Sequence, residues 1–389
     1  MTKKIPLAIP NLFNEEKKSL MDTFSSTWIS TAGEKVNKFE IKFKKLIGVR
    51  YAIACNSGTS ALHIAIKLAG VKADDEVIVP SLTFAATVNA IIYNQARPIF
   101  FNSDKYLNID IQDVKDFIEN KTYFKNGRTI NKKTGKKISA IIPVHMYGNA
   151  SDIFRIKNLL SQRKIEIIED AAESLGTKYL QSIYKSKNTG NIGSIGIFSF
   201  NANKIITSGS GGMIVTNKAS LAKRAKLLTN QAKRNEFEYI HDEVGYNYRM
   251  NNLCASIGLS QMSKLSLFLD KKKKIFNFYK KEFSNNKLIK MIEGPIYAKN
   301  NYWMPLIKID LKKTTITKKK LIHELQKKNI QIRGCWNPLH IQKPYKKFQS
   351  FNIKNLVYIS QSIFCLPCST QIRLKELKSV SKNLQKIIG

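Results

Sequence analysis

Apolar residues recur at helical spacing over residues 14–24 and 34–47, the second stretch with Phe39, Phe43 and Leu46 on one face. Beyond them the pattern changes to short apolar runs set off by turn residues. These predict strands at Tyr51–Cys55, Val77–Val79, Pro98–Phe101, Ile138–Val144 and Ile165–Glu169. Helical segments alternate with them at Thr59–Ala69, Ala85–Tyr93, Ile111–Glu119 and Ile153–Gln162, and Gly196–Phe200 and Met213–Thr216 add two shorter strands. Such alternation predicts an α/β fold, with a mainly parallel sheet covered by helices on both faces. From about residue 250 the texture differs. Asn251–Phe283 reads as one long helical stretch, Tyr302–Ile309 as strand-like, Lys318–Lys328 as a helix, Ile330–Arg333 as a strand and Lys375–Ile388 as a closing helix. The expected division is therefore a large unit over 1–250 and a smaller C-terminal α+β unit over 251–389.

Composition narrows the class. The chain has 389 residues, 43% of them hydrophobic, and 65 Lys plus Arg against 28 Asp plus Glu, a formal charge of +37. That excludes a disordered tail, a collagen and a disulfide miniprotein. No segment approaches the roughly 18–20 apolar residues of a membrane helix. The N-terminal apolar stretch is broken by Pro6, Pro10 and Asn11, so no signal peptide and no membrane insertion are expected. Five sparse cysteines suit a reducing cytoplasm, the expected location. Cys365 and Cys368 form a lone CxxC with no second pair, read as a half-buried loop, and no metal site is expected. The charge suggests nucleic acid, but the lysines are spread along the chain. Lys271–Lys274 reads as a solvated helix face, and 121–137 as an exposed basic hairpin with turns at Asn126-Gly127 and Thr134-Gly135. No specific nucleic-acid partner is expected.

Three places carry candidate chemistry. Asn56-Ser57-Gly58-Thr59 lies between a strand and a helix, where free backbone N–H groups and hydroxyls hold phosphates, although the same residues also make an ordinary helix cap. Asp170 directly follows an apolar strand, at the edge of an open sheet where ligands gather; the plainer alternative is a cap for the next segment. Lys204 stands between the strand Gly196–Phe200 and the glycine-rich run Gly209–Gly212, five positions after Ser199. Phosphate loop, acid at a strand end and lysine are together the parts that pyridoxal phosphate requires. The lysine carries the cofactor as an imine, the acid pairs with the ring nitrogen, and the loop anchors the phosphate.

With those residues in place, the chain resembles the DegT/StrS family of pyridoxal-phosphate sugar aminotransferases, of the aspartate-aminotransferase fold. The resemblance spans about residues 5–385 through ordered matches: Thr27-Trp-Ile-Ser30, Asn56-Ser-Gly-Thr-Ser-Ala-Leu62, Pro80-Ser-Leu-Thr-Phe84, Pro143-Val-His-Met-Tyr-Gly148, Glu169-Asp-Ala-Ala-Glu-Ser-Leu-Gly176, Phe198-Ser-Phe-Asn-Ala-Asn-Lys204, Gly245-Tyr-Asn-Tyr-Arg249 and Trp336-Asn-Pro-Leu-His340. The resemblance implies a role for each. Lys204 is the cofactor lysine and proton shuttle, and Asp170 pairs with the pyridine nitrogen. Phe84 lies over the ring, and Glu173 stands near its hydroxyl edge. Ser57, Gly58, Thr59 and Ser199 hold the phosphate, and Asn247 reaches it from the partner of a homodimer with shared sites. Thr27, Trp28, Ile29 and Ser30, with Arg249 and His340, line the sugar-nucleotide and amino-donor side. Phe84 is alternatively plain core, Arg249 a structural ion pair, and His340 and His145 hydrogen-bonded supports.

The finer resemblance, carried by Phe198–Thr216 and Tyr239–Arg249, is to enzymes that aminate a UDP-linked, N-acetylated 4-keto-6-deoxy sugar, with L-glutamate as donor, on routes to bacillosamine and legionaminic acid. Ala202 stands where that subgroup has Gly, and Ser208–Ser210 interrupts its threonine-glycine run. Alternatives are another keto sugar (a 3-keto hexose or an 8-keto sugar acid) or the family's dehydratase branch, which has His in place of the lysine. A nucleic-acid-binding regulator would need a helix-turn-helix domain ahead of Asn56, where no space is expected.

Overall fold

The runs Glu76–Pro80, Ile138–Ile141 and Gly212–Thr216 are buried along their whole length. Strands without a wet face need helices on both sides. In the computed structural model, which describes residues 4–234 and 238–389, they belong to one eight-stranded sheet. The first three residues of the expected 1–250 unit, and 235–237, lie outside the described residues. The strand order is Tyr51–Cys55, Gly212–Thr216, Ile195–Ser199, Glu166–Asp170, Ile138–Ile141, Glu76–Pro80, Arg97–Phe101, Ser350–Phe351. All pairs are parallel except those of Gly212–Thr216, which runs against both neighbours. The reason is the connection. A parallel strand needs a crossover of a dozen or more residues, usually through a helix. The loop from Ser199 to Gly212 holds no helix and turns straight back, so Lys204 stays at the carboxyl end of its strand.

That loop is anchored from below. Phe39 and Phe43 of the helix Glu34–Ile47 pack edge-on against Phe200 and Phe198, with ring centroids 5.0 Å apart in each pair. All four rings are buried, fixing the strand end before Lys204.

The second sheet is antiparallel, in the order Ile289–Ile292, Leu306–Ile309, Ile363–Cys365, Arg333–Gly334. The helices Leu265–Glu282, Lys318–Lys327 and Leu374–Ile388 pack beside it through Ile275, Leu321, Leu325, Val380 and Leu384. Two segments cross the expected division at 250. Ser350–Phe351 adds an edge strand to the large sheet, and Ile5 bridges to Ile330.

Several expectations need correction. Asn251–Phe283 is two helices, Asn252–Met262 and Leu265–Glu282, because they serve different units. The first packs on the helices Asn14–Ser25 and Glu34–Ile47, and the second on Leu374–Ile388. Within the polybasic run, Lys272 is not solvated. It is buried and donates to the Trp303 and Cys368 carbonyls at 2.9 and 2.8 Å. Cys365 and Cys368 are buried rather than half-buried, and all five cysteines are free. The basic insert forms the hairpin Thr122–Lys125 and Arg128–Asn131, with Asn126 and Gly127 both at positive φ, the turn that an Asn-Gly pair favours. Among the described residues no helix is long and apolar enough to cross a membrane.

Candidate active site

Three chain segments end at one edge of the large sheet. Tyr51–Cys55 runs into Ser57, which caps the helix Gly58–Leu68 by accepting from the Ser60 amide at 3.0 Å. A helix start of this kind turns free N–H groups toward an anion. A Cβ on Gly58 would stand 2.9 Å from the Cβ of Ser199, so only glycine lets the helix start and the end of Ile195–Ser199 close together. Gly212 likewise leaves space for the Ser57 carbonyl. Ser57, Gly58, Thr59, Ser199 and Ser210 thus line one end of a cavity of about 450 Å³.

Asp170 is the last residue of the strand Glu166–Asp170 and is buried. Its Oδ2 accepts from Thr87 Oγ1 at 2.8 Å and its Oδ1 from the Ala172 amide at 3.1 Å. Burial pushes its pKa up, against the pull of those two donors and of Lys204. A carboxylate in this position is stabilised by a cation brought into the cavity. Its neighbour Glu169 is buried on the other side, where it accepts from His145 at 3.0 Å and from the amides of Gly190, Ile192 and Gly193 at 2.8, 2.6 and 2.6 Å. His145 also accepts from the Ser151 amide at 3.0 Å, so it braces the strand end from outside the cavity.

Lys204 projects from the loop toward Glu173, with Nζ 3.5 Å from Oε1. The same Nζ lies 4.2 Å from the centroid of the Trp303 ring, a cation–π contact. Trp303 is itself held by its indole N–H, which donates to the Asn203 carbonyl at 2.7 Å. Burial pushes the Glu173 carboxyl up to about 7, with Lys204 and the Tyr147 amide pulling the other way. That amide donates to Glu173 Oε2 at 2.8 Å, and Tyr147 has a φ of 52°, a left-handed conformation that a bulky residue adopts only under constraint. The constraint is a stack of rings. Tyr147 lies between Trp303 and Trp336 at centroid distances of 5.9 and 5.1 Å, and Trp336 meets Phe84 at 5.5 Å. Phe84 is 56% exposed, so it is not plain core.

Of the residues expected from sequence, the cavity lining brings together Ser57, Gly58, Thr59, Phe84, Asp170, Glu173, Ser199 and Lys204. Thr27, Trp28, Ile29, Ser30, Asn247, Arg249 and His340 do not line it. Six of these fall in two chain segments, 27–30 and 247–249, and all but Arg249 are exposed. The Asn252 amide donates to the Ser30 carbonyl and its side chain to that of Trp28, at 2.7 and 2.6 Å, while Arg249 donates to the Thr31 carbonyl at 2.7 Å. Arg249 is therefore bound to a carbonyl rather than to a carboxylate. Asn56 donates to the Asn247 carbonyl at 3.3 Å, leaving the exposed Asn247 amide free of its own cavity. His340 bonds Ser81 Oγ through Nδ1 at 2.6 Å, and burial pushes its pKa down. Sequence reasoning missed Thr87, Tyr147, Trp303, Arg333 and Trp336. Thr87 had a signal, standing one helical turn after Phe84, and Trp336 stood in a quoted motif without a role.

The donor set fits pyridoxal 5'-phosphate: a lysine, a buried carboxylate with no ion pair among the described residues, and a glycine-relieved cradle at a helix start. Among the described residues no cluster of three or more His, Cys, Asp or Glu is placed to hold a metal. Residues 10–385 match the DegT/DnrJ/EryC1/StrS aminotransferase family. The chain belongs to that family. It is a pyridoxal-phosphate-dependent sugar aminotransferase. It is 38% identical over 352 residues to a GDP-perosamine synthase of Escherichia coli O157:H7, covering 90% of each chain. It is also 31% identical over 364 residues, 92% of this chain and 91% of the other, to a UDP-4-amino-4,6-dideoxy-N-acetyl-beta-L-altrosamine transaminase of Campylobacter jejuni. Helicobacter pylori PseC, an aminotransferase of pseudoaminic acid biosynthesis, shares the fold, with a TM-score of 0.87 at 23% identity over 99% of both chains. A mainly parallel sheet with one reversed strand is thus the fold of this DegT/DnrJ/EryC1/StrS member, as the alternation of strands and helices predicts.

Proposed function

We propose that this chain moves the amino group of L-glutamate onto a nucleotide-linked, N-acetylated 4-keto-6-deoxy sugar, with UDP as the nucleotide. The observation that carries the reading is the convergence of Lys204, Asp170 and Glu173 on one cavity with the Ser57–Thr59 cradle. The sugar is supported by the Campylobacter relative, whose name gives a UDP-linked 4-amino-4,6-dideoxy product. GDP is the second reading, supported by the 38% identity to a GDP-perosamine synthase.

Each residue then has a task. Ser57, Gly58, Thr59 and Ser199 would hold the cofactor phosphate, and Phe84 and Glu173 would border its ring. Asp170 keeps a proton on the ring nitrogen. Pyridoxal 5'-phosphate supplies an electron sink for the negative charge that develops at the donor's α-carbon. Lys204 Nζ takes the proton from that carbon as a base and returns one as an acid. Glu173, held by the Tyr147 amide, lies 3.5 Å from that Nζ and orients it toward the cavity. The aromatic stack behind Lys204 excludes water while the proton is held. After 2-oxoglutarate leaves, the keto sugar receives the amino group through the same proton transfers in reverse order.

The homodimer belongs to the same proposal. Asn247 serves the partner's phosphate, and Thr27–Ser30, Arg249 and His340 line the sugar-nucleotide and donor side. Their separation from the cavity within one chain supports a site completed by a second subunit. So does the exposure of Trp28 and Val244, at 63% and 77%, in the segments that carry them.

The test is turnover of purified enzyme with L-glutamate against UDP- and GDP-linked 4-keto sugars, followed by 2-oxoglutarate release. Amination of the UDP-linked N-acetylated sugar is expected. A clear preference for GDP establishes the second reading, and an unaltered sugar with both nucleotides removes the proposal. Borohydride should fix the cofactor to a single peptide, the one containing Lys204.

A further inference from the structure

The helix Leu265–Glu282 buries Leu265, Phe268, Lys272, Ile275 and Tyr279, spaced by threes and fours along one stripe. Every position of that stripe but one carries an aliphatic or aromatic side chain. Lys272 is the exception, and it is 4% exposed. Among the described residues no carboxylate meets it. Its three N–H groups are taken by the Trp303 carbonyl at 2.9 Å, the Cys368 carbonyl at 2.8 Å and Cys368 Sγ at 3.2 Å. A buried cation without a carboxylate is a poor way to stabilise a fold, since an apolar side chain of similar volume serves as well or better. What the lysine adds is a fixed position for the two carbonyls it grips.

Those carbonyls lie where the second sheet meets the cavity. Leu306 pairs with Cys365, and the Leu366 amide donates to the Pro305 carbonyl at 3.0 Å, so the same register continued sets Trp303 opposite Cys368. Trp303 lines the cavity, and Lys204 Nζ lies 4.2 Å from its ring centroid. The other polar groups of Trp303 are tied as well, its amide to Asn301 Oδ1 at 2.9 Å and its indole N–H to the Asn203 carbonyl at 2.7 Å. Lys272 and Lys204 also border one small second cavity of about 20 Å³. We propose that Lys272 is a positioning residue for Lys204. By gripping the Trp303 carbonyl it sets the indole plane against which Lys204 Nζ lies. The inference rests on Lys204 as the base that takes the donor's α-proton. A reacting group held about 1 Å out of place loses on the order of 100-fold in rate. Trp303 would keep two of its three ties without Lys272, so the expected loss is smaller.

Two measurements test it. In the cofactor-free chain, isotope-labelled at the lysine ε-carbon, the ring current of Trp303 should set one ε-methylene signal upfield of the others. Lys204→Ala identifies that signal by removing it. In the holoenzyme, L-glutamate with hydrogen or deuterium at the α-carbon is mixed in a single turnover and the cofactor absorbance followed. Lys272→Met should return the displaced signal toward those of the other lysines and slow the turnover about tenfold or more. The isotope effect should grow, because proton transfer becomes the slow step, while cofactor affinity and the half-saturating glutamate concentration change little. Lys272→Arg keeps the charge and the donors and should recover part of both signal and rate. Trp303→Leu removes the ring itself, and adding Lys272→Met to it should slow the turnover no further, because the lysine acts through that ring. If Lys272→Met does not fold, Lys272→Gln replaces it. With two N–H donors and no charge, it should fall between wild type and Trp303→Leu in both measurements. An unmoved signal with an unchanged rate overturns the proposal. Losses that multiply in the double variant overturn it too, since Lys272 then acts without Trp303. So does a loss of cofactor affinity that Lys272→Arg leaves in place, which marks a distorted fold. Proton transfer at the wild-type rate in Lys204→Ala removes the base and overturns both readings. If the wild type ignores glutamate, the donor reading fails, and the ring-current displacement still decides Lys272.

Discussion

Asp170 and Glu173 are three residues apart, both buried, and they face the same cavity with different surroundings. Asp170 has neutral donors on both oxygens, so its charge is available to a cation that enters. Asp170→Asn keeps the shape and one acceptor but removes that charge. Turnover should fall on the order of 100-fold or more, the size of effect seen when a positioned electrostatic partner is removed. Cofactor affinity should fall only moderately, because the cradle supplies much of the anchoring. Near wild-type turnover would mean that another residue serves the ring nitrogen. Glu173 yields a pH prediction. Its carboxyl is raised from 4.5 to about 7, so between those values the folded chain holds a proton that the unfolded chain has released. The stability it contributes is present below about 4.5 and lost as pH rises through about 7. Urea unfolding of the cofactor-free protein should therefore show a decline from pH 5 to pH 8 to which Glu173 contributes about 2–3 kcal/mol, and Glu173→Gln should remove that part. Some slope should remain, because burial also raises Asp104 to about 7. A Glu173→Gln profile with the same slope as the wild type would show that Glu173 does not hold the proton.

At the level of elements, the cradle depends on how closely a helix start approaches a strand end. Alanine at 58 would gain up to about 1 kcal/mol of helix propensity, yet its Cβ would press on Ser199. Gly58→Ala should thus leave the melting temperature of the cofactor-free protein almost unchanged while weakening cofactor binding about tenfold or more. Equal cofactor affinity would remove Ser199 and Gly58 from the phosphate site. This cradle was legible in the sequence because its parts adjoin elements that apolar runs mark clearly. Lys204 and Asp170 were legible for the same reason, each lying at or just past a strand. What stayed hidden depends on tertiary contact. The helix Ala219–Thr229 carries Lys223, Arg224 and Lys226 among its apolar positions, and the strand Ile289–Ile292 is only four residues long and interrupted by Lys290, so neither gives a firm period. The break between Asn252–Met262 and Leu265–Glu282 is set by what each half packs on, which the helical period does not record. Trp303 and Arg333 come to the cavity from the second sheet region, far from the motifs in sequence. The tie between Tyr147 and Glu173 runs through a backbone amide, to which side-chain identity gives no clue.

For the whole molecule, the residues absent from the cavity matter as much as those in it. Asn247 is exposed and its segment is bridged to Asn230 and bonded by Asn56, so it is presented outward rather than folded back. If Asn247 serves a partner's phosphate as proposed, its side-chain amide must come within hydrogen-bond range, which requires the whole segment to be delivered through a stable, two-fold interface. In a dimer with shared sites, each cavity takes Lys204 from one chain and Asn247 from the other. Lys204→Ala homodimers should be inactive, and Asn247→Ala homodimers impaired, with weaker cofactor retention. A heterodimer of the two variants then holds one cavity with both lesions and one with neither. The intact cavity should restore up to about half of wild-type activity per dimer, and its cofactor affinity should match that of the wild type. If Asn247 acts within its own chain, the same heterodimer has one dead cavity and one impaired one. Its single active cavity would then keep the weak cofactor affinity of the Asn247→Ala parent. Tandem-tagged heterodimers, purified to exclude both parents and titrated with cofactor, separate these outcomes, because affinity reports on the surviving cavity independently of how many cavities work.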